Sequence, residues 1–146
     1  MKCLIFILIL ITATSSFGKD LGVGISLGNP TGVNGKYWLD KTAAVDGGLG
    51  LSLGKHTDAS LHSDYLLHKE GAFFLNDVHP LDLYYGLGGR MEFADDIELG
   101  IRVPVGLAHR VENGDADVFG EIAPIFDFLT SPSVEVHFLF GARYYL

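Results

Sequence analysis

The chain has 146 residues, and its 10 lysines and arginines against 18 aspartates and glutamates give a net charge of −8. Nucleic-acid binding is not expected of so acidic a chain, because it requires a basic face that neutralises phosphates. Apolar residues make up 48% of the chain, yet after residue 11 no apolar run is long enough to cross a bilayer as a helix.

The amino-terminal segment has the features of a secretory signal peptide. Met1-Lys2 is a short positive region, and residues 3–11 form an apolar core that is too short to span a bilayer. Cleavage after Gly18 is predicted, leaving residues 19–146 as one domain of net charge −9, since the −8 of the whole chain loses the positive charge of Lys2. Cys3, the only cysteine, would be removed, so neither disulfides nor thiol chemistry is expected.

From Leu21 onward, apolar residues recur at every second position, which is the period of a strand with one apolar face. Short turn sequences separate most of the alternating segments, so neighbouring strands are expected to form antiparallel hairpins. Pro104 and Pro124 each remove a ladder hydrogen bond, which predicts bulges at these positions. The alternation predicts eight strands, over residues 21–28, 33–40, 45–53, 61–68, 81–91, 97–108, 117–128 and 133–146.

One connection between predicted strands is long. Residues 69–80 hold the apolar run Ala72-Phe73-Phe74-Leu75 and are interpreted as a loop. If the predicted strands cross a membrane one after another and both chain ends lie in the periplasm, the loop after the fourth strand lies on the periplasmic side as well. Because periplasmic turns of membrane barrels are usually short, this segment fits a membrane barrel least well.

The last predicted strand, residues 133–146, has one apolar face that carries aromatics and one face that carries charge. Such a strand, with an apolar residue at its carboxyl end, is typical of the closing strand of an outer-membrane β-barrel. The predicted fold is therefore all-β, an eight-stranded antiparallel up-and-down transmembrane β-barrel formed by residues 19–146.

Period two alone does not say which face of the barrel is inside. Glycines and charges of both signs share the polar face, and buried charges are tolerated when they can pair. The same charges cannot face lipid, since an arginine or lysine at the midplane costs roughly 2–4 kcal/mol. A polar network is therefore predicted inside the barrel, comprising Lys36, Asp46, His62, Asp64, Arg90, Glu98, Arg102, Glu121, Asp127, Glu135, His137 and Arg143. Five residues of the last three strands are expected to form one ion-paired plug, namely Glu98, Arg102, Glu121, Glu135 and Arg143.

Six strings of the chain match one family of proteins, namely GNPTGVNGKYWLD (28–40), AVDGGLG (44–50), LHSDYLLH (61–68), YYGLGGR (84–90), GIRVPVGLAH (100–109) and the closing ARYYL. In these strings the chain resembles a family of small bacterial outer-membrane β-barrels that has no established chemistry. The resemblance implies an eight-stranded barrel of the OmpA-type size class and implies no activity.

The carboxyl terminus also resembles the signal that the barrel-assembly machinery reads. Gly141, Tyr144 and Leu146 fall on its spacing, although Leu146 replaces the usual terminal aromatic and Phe140 stands where a polar residue is common. The expected partners are therefore outer-membrane lipids and, during insertion, the assembly machinery. The oligomeric state is left open.

The polar face offers residues for two kinds of chemical site, a metal site and a catalytic one. His62, Asp64 and His68 share one face of a predicted strand, but the two histidines are six residues apart, roughly 20 Å at strand rise, which is too far for one ion. A serine–histidine–carboxylate arrangement could use Ser52 or Ser60 with His62 and Asp46 or Asp64. Neither arrangement follows a known motif, so no catalysis, metal or cofactor is predicted.

The predicted role is structural or one of interaction at the envelope of a Gram-negative-type bacterium, in its outer membrane, with an interior plugged by the polar network. Two alternatives remain. One is a secreted soluble barrel that binds an apolar ligand, with the two faces exchanged. The other is a membrane enzyme that modifies lipid A.

Overall fold

The computed structural model describes residues 20–53, 57–111, 114–130 and 132–146. These residues form one antiparallel sheet of nine strands, and none of them forms a helix. In particular, the described ranges hold no helix long and apolar enough to cross a bilayer. The predicted signal peptide, residues 1–18, lies outside the described residues. The strands are β1 Leu21–Gly28, β2 Thr31–Trp38, β3 Ala43–Leu53, β4 Thr57–Leu75, β5 His79–Phe93, β6 Ile97–Arg102, β7 Val105–Arg110, β8 Ala116–Asp127 and β9 Ser133–Tyr145.

Each described strand is hydrogen-bonded to a neighbour on both of its sides. The order β4-β3-β2-β1-β9-β8 continues through β6 and β7 to β5, and β5 pairs in turn with β4. The first and last strands of the chain, β1 and β9, pair over Gly22↔Tyr145 to Gly28↔Leu139. The all-β, antiparallel prediction is therefore confirmed.

The count of nine strands, where eight were predicted, comes from an interruption at Val103 and Pro104. Proline has no N–H to give to the ladder, so the regular pairing stops there. However, β6 and β7 lie one after the other along β5, since Arg102 pairs with Gly88 and Val105 with Tyr85. Together they occupy one position in the sheet.

The bulges predicted at the two prolines are not formed. Arg102 and Val105 are three positions apart in the chain, and their partners on β5 and on β8 are also three positions apart, so neither register shifts. At Pro124 the pairing of β8 with β9 is continuous as well. Neighbouring donors bridge the gap, because Val103 N donates to Pro124 O and Gly86 N donates to Pro104 O, each at 3.0 Å.

The prediction of a loop over residues 69–80 is wrong, because the two flanking strands continue through this segment as a long hairpin. β4 extends to Leu75 and β5 begins at His79. Asn76 and Asp77 turn the chain with φ of 54° and 58°, a pair of left-handed residues typical of tight hairpin turns. The register shifts between Lys69 and Phe73, where Gly71 adopts a φ of 58°. This shift interrupts the alternation, so the strand could not be recognised from its period.

The two faces of the sheet have opposite chemistry. In β8 the side chains of Asp117, Phe119, Glu121 and Ala123 are buried, while those between them are exposed or half-buried. Across the described sheet, the buried face holds most of the charged residues of the strands, and the exposed face holds most of the large aliphatic and aromatic ones. Ile25, Leu87 and Phe140, for example, are 58%, 61% and 70% exposed.

Gly106 makes room for a large uncharged side chain of the buried face, that of Tyr84. Tyr84 is fully buried, and a Cβ at Gly106 would overlap the end of its ring. Because a packed interior absorbs extra atoms only by shifting its neighbours, glycine is the residue that fits there.

Replacing Gly106 with alanine is expected to lower the free energy of unfolding by about 1–3 kcal/mol, because the Tyr84 ring would have to move. Gly89→Ala is the matched control. A Cβ at that position would meet only Gly100 O at 3.8 Å, so its effect should stay within about 0.5 kcal/mol. Urea unfolding followed by the fluorescence of Trp38 measures both variants. Equal stabilities of the two variants would contradict this packing argument.

Asp40 organises the turn between β2 and β3. Its Oδ1 accepts hydrogen bonds from Thr42 N and Ala43 N, each at 2.7 Å, and from Thr42 Oγ1 at 3.1 Å. The two backbone N–H groups stabilise the carboxylate, so they lower the pKa of Asp40 below its usual value. The charged form of Asp40 is thus the form that supports the turn.

Asp40→Ala is expected to be less stable than the wild type at neutral pH. A group whose pKa is lowered by folding contributes its stability above the unfolded pKa and loses it as pH falls through the folded pKa. The stability difference should therefore shrink as the pH falls below the usual pKa of an aspartate, because the carboxylate that supports the turn becomes protonated. Urea titrations across this range test it, with Asp95→Ala as an exposed aspartate control. A difference that is constant with pH would contradict the role of the carboxylate.

Candidate functional site

Ten of the twelve residues predicted for the polar network are buried, all except Glu98 and Glu135. Glu98 is half-buried, and 45% of the Glu135 side chain is exposed. Glu135 lies near the start of β9. The end of the sheet where β9 starts also carries the turns at residues 29–30 and 94–96, and we call it the turn end. The opposite end, where Leu21 and Leu146 lie, is called the terminal end. The buried side chains are brought together by strands from all around the sheet.

Arg102 lies at the centre of the buried face. Its guanidinium forms ion pairs with Asp64 on β4 and with Glu121 on β8. Tyr84 Oη on β5 donates a hydrogen bond to the second carboxylate oxygen of Glu121 at 2.9 Å. Arg102 is 0% exposed, so its charge depends entirely on these two carboxylates for compensation.

Arg143 forms a second cluster toward the terminal end. Its Nε donates to Asn34 Oδ1 at 2.7 Å, and its terminal nitrogens lie 3.4 Å from Asp46 Oδ2 and 3.8 Å from Asp117 Oδ1. The guanidinium carbon is 3.8 Å from the ring centroid of Phe119, an arrangement in which arginine is attracted to an aromatic face. Tyr145 Oη donates to the other oxygen of Asp117 at 2.7 Å.

Arg90 forms a third cluster toward the turn end. Its Nη2 donates to both carboxylate oxygens of Asp127, at 2.8 and 2.7 Å. Its Nη1 donates to Glu135 at 2.9 Å and lies 3.2 Å from both Glu92 Oε2 and His137 Nε2. Several carboxylates surround this one arginine, so the turn end of the interior is acidic.

Lys36 is packed among the rings of three other residues of the buried face. Its Nζ contacts His68 Nε2 and lies 4.6 Å from the ring centroid of Trp38 and 5.2 Å from that of Tyr84. The ring of His68 is 4.3 Å from that of Trp38 and 5.4 Å from that of Tyr84. This aromatic cluster fills the interior between the Arg102 cluster and the terminal end.

The five residues expected to form one plug are divided among these clusters. Arg102 and Glu121 pair with each other as expected. Arg143 contacts Asp46 and Asp117 instead, and Glu135 contacts Arg90. Glu98 Oε2 accepts a hydrogen bond from Thr130 N at 3.3 Å. The partners that the sequence reasoning missed are Asn34, Tyr84, Glu92, Asp117 and Tyr145, although they stand on the polar face by their alternation.

Among the described residues, Asp46, His62 and Asp64 bring three metal-ligand atoms within 4.8 Å of one another. The set considered from the sequence was His62, Asp64 and His68. In the structure His68 belongs to the aromatic cluster instead. Asp46 takes its place, because it lies opposite Asp64 in the register of β3 and β4. Both carboxylates, however, already compensate an arginine. A divalent cation would add positive charge beside two guanidinium groups, so we interpret the set as part of the ion-pair network.

The serine–histidine arrangement is not formed by either candidate serine. Within the described part of the chain, the buried hydroxyls of Ser52 and Ser60 have no hydrogen-bond partner. A serine nucleophile depends on a hydrogen bond to its base, and His62 makes none to these two hydroxyls.

Comparison of the chain with models of known families, with curated proteins and with solved structures gave no match.

Proposed function

We propose that the protein is an integral β-barrel of the outer membrane, with a structural or envelope-interaction role and no catalysis. In this proposal the nine strands close into eight positions, β6 and β7 sharing one, and the exposed face is in contact with lipid. The chain would belong to the small outer-membrane barrels that its sequence resembles. It would be exported by residues 1–18 and inserted by the assembly machinery.

The observation that carries this proposal is the inverted distribution of burial. Charged side chains such as Lys36, Arg102 and Arg143 are 1%, 0% and 3% exposed, whereas most of the large apolar side chains of the described strands are exposed. A contiguous exposed apolar surface larger than a few hundred Å² indicates an interaction with lipid or protein. Because this surface follows the sheet on all the strands, a bilayer covers it more completely than a single protein partner could.

The soluble alternative requires the opposite arrangement. A barrel that carries an apolar ligand needs an apolar interior, and here the interior holds three arginine clusters and a lysine. The lipid A-modifying alternative would need an activated nucleophile or base at a rim. It is tested by the mass of lipid A in cells that express the protein, compared with cells that express the His62→Ala variant.

Membrane location is tested by fractionation of cells that express the full chain. The protein should remain in the membrane pellet after carbonate or urea washing, and it should migrate faster on SDS gels before heating than after. Release into the soluble fraction, with one mobility on the gel, would overturn the proposal.

The interior is expected not to conduct ions. Arg90, Arg102 and Arg143 stack at three levels along the interior, each held by carboxylates that come from other strands. In planar bilayers the purified protein should give no large and steady conductance, because an ion would have to displace paired charges at every level. A regular open level in single-channel recordings would contradict the proposed plug.

A further inference from the structure

One row of side chains across the buried face places two aspartates next to each other. Lys36 on β2 lies opposite Asp46 on β3, and Asp46 lies opposite Asp64 on β4. Asp46 and Asp64 are 4% and 2% exposed, and one oxygen of each lies within 4.8 Å of the other. Like charges directly opposite each other on neighbouring strands destabilise a sheet. Burial strengthens this repulsion, because water no longer screens it.

Each of these two carboxyl groups has one oxygen that faces an arginine and one that no donor reaches. Asp64 Oδ2 forms an ion pair with Arg102. Asp46 Oδ2 lies 3.4 Å from a terminal nitrogen of Arg143. Within the described ranges, Oδ1 of both aspartates is buried and has no hydrogen-bond partner. The two carboxyl groups are near enough for a hydrogen bond between them, but two ionised carboxylates hold no donor, so such a bond requires a proton.

The buried charges do not balance when every acid is ionised and the histidines are neutral. Among the described residues, four buried cations stand against five buried acids, an excess of one negative charge. The cations are Lys36, Arg90, Arg102 and Arg143, and the acids are Asp46, Asp64, Asp117, Glu121 and Asp127. Arg90 holds both oxygens of Asp127 at the turn end, so the excess lies with the remaining groups around Asp46 and Asp64.

We propose that Asp46 and Asp64 hold one proton between them, which neutralises the excess charge and joins the two carboxyl groups by a hydrogen bond. Each neighbouring arginine keeps its other carboxylate as a fully charged partner. Release of the proton at alkaline pH leaves two adjacent buried carboxylates, so the fold is weakened there. This inference goes beyond the proposed function and does not depend on it, because the pair lies on the buried face whatever covers the exposed one.

The other groups that face the pair favour a proton on the aspartates over a charged histidine. These groups are Lys36 on β2, His62 and His68 on β4, Tyr84 on β5, Arg102 on β6, Asp117 and Glu121 on β8, and His137 and Arg143 on β9. The buried positions of β1 and β7 carry glycine, serine and alanine, which do not titrate. A proton on His62 would add buried positive charge near Arg102 and Arg143, whereas a proton on the pair removes a repulsion.

The test compares urea unfolding of the full chain with that of Asp64→Asn from weakly acidic to alkaline pH. Asparagine keeps the shape of the protonated acid and can donate a hydrogen bond to Asp46. The folded wild type holds a proton that the unfolded chain releases, so its unfolding constant should rise relative to that of Asp64→Asn, by up to about tenfold per pH unit. At neutral pH the variant should be at least as stable as the wild type.

Two further variants show that the effect belongs to the pair. Asp46→Asn should behave like Asp64→Asn, because either carboxyl can be the one that is removed. Glu121→Gln is the matched control, since both of its oxygens already have donors, from Arg102 and Tyr84. It should be less stable than the wild type at neutral pH and should keep the wild-type pH dependence.

Infrared spectra of the folded wild type, in a detergent without ester groups, give a readout that needs no variant. A protonated carboxyl has a carbonyl band that ionised carboxylates lack. The band should be present at neutral pH, disappear at alkaline pH, and be missing from both asparagine variants. Its absence from the wild type at neutral pH would overturn the proposal, and so would parallel pH dependences of the wild type and Asp64→Asn. If His62→Gln alone removes the pH dependence, the proton is on His62 and the proposal is wrong.

Discussion

Arg102→Met is expected to destabilise the folded protein by about 3–5 kcal/mol, the largest loss among the substitutions considered. Removal of the guanidinium leaves Asp64 and Glu121 buried without a compensating charge, on strands that lie on opposite sides of Arg102. Methionine restores much of the volume, so the loss reports mainly the uncompensated carboxylates. Urea unfolding in lipid vesicles, followed by Trp38 fluorescence, measures it.

Two further variants show whether charge compensation is the cause. The triple variant R102M/D64N/E121Q removes all three charges and should recover most of the lost stability, because no buried charge is left unpaired. Arg110→Met removes an arginine that is exposed and lies 4.8 Å from the ring of Tyr145, so it should cost no more than about 1 kcal/mol. If the triple variant is as unstable as R102M, packing rather than charge determines the stability at this position.

If the exposed face contacts lipid as proposed, Leu87→Arg is expected to lower stability in the bilayer by about 2–4 kcal/mol, or to prevent insertion in cells. Leu87 lies midway along β5 on the exposed face, opposite Tyr65 of β4. At that level an arginine would have to face hydrocarbon or distort the bilayer to reach water. Vesicle unfolding and the heat-dependent gel mobility measure the effect.

The same substitution distinguishes the membrane barrel from a soluble protein. On a water-exposed surface, Leu87→Arg would change stability by less than about 0.5 kcal/mol and improve solubility. Asp95→Arg, in the turn at residues 94–96, adds positive charge outside the proposed hydrocarbon region and serves as the control. A tolerated arginine at position 87, with full insertion, would contradict the assignment of the exposed face to lipid.

The strands and their two faces could be predicted from the sequence because both depend on local geometry. A strand turns successive side chains to opposite faces of the sheet. Adjacent residues such as Asp117 and Val118 must therefore lie on opposite faces, whatever the rest of the fold. The alternation also predicts that Lys36, Asp64 and Arg143 lie on the polar face. It failed where the backbone departs from the regular period, at the register shift after Lys69 that hid the end of β4.

The partners of the buried charges could not be predicted in this way. Arg102 contacts Asp64, which lies 38 residues earlier in the chain. This contact forms because the strand pairings place β4, β6 and β8 so that their polar side chains share the buried face. Arg143 likewise reaches Asn34 across 109 residues. Such contacts depend on the register and order of several strands at once, and alternation within one strand carries no information about either.

The sequence by itself therefore determined that the chain is all-β and that charge and apolar surface lie on opposite faces, since both follow from the period-two backbone. Only the tertiary structure decided how the arginines divide into three clusters and which carboxylates compensate each of them. It also decided that β4 extends to Leu75 and that β5 begins at His79. The physical reason is that ion pairing and register are properties of strands brought together, and the alternation within one strand determines neither.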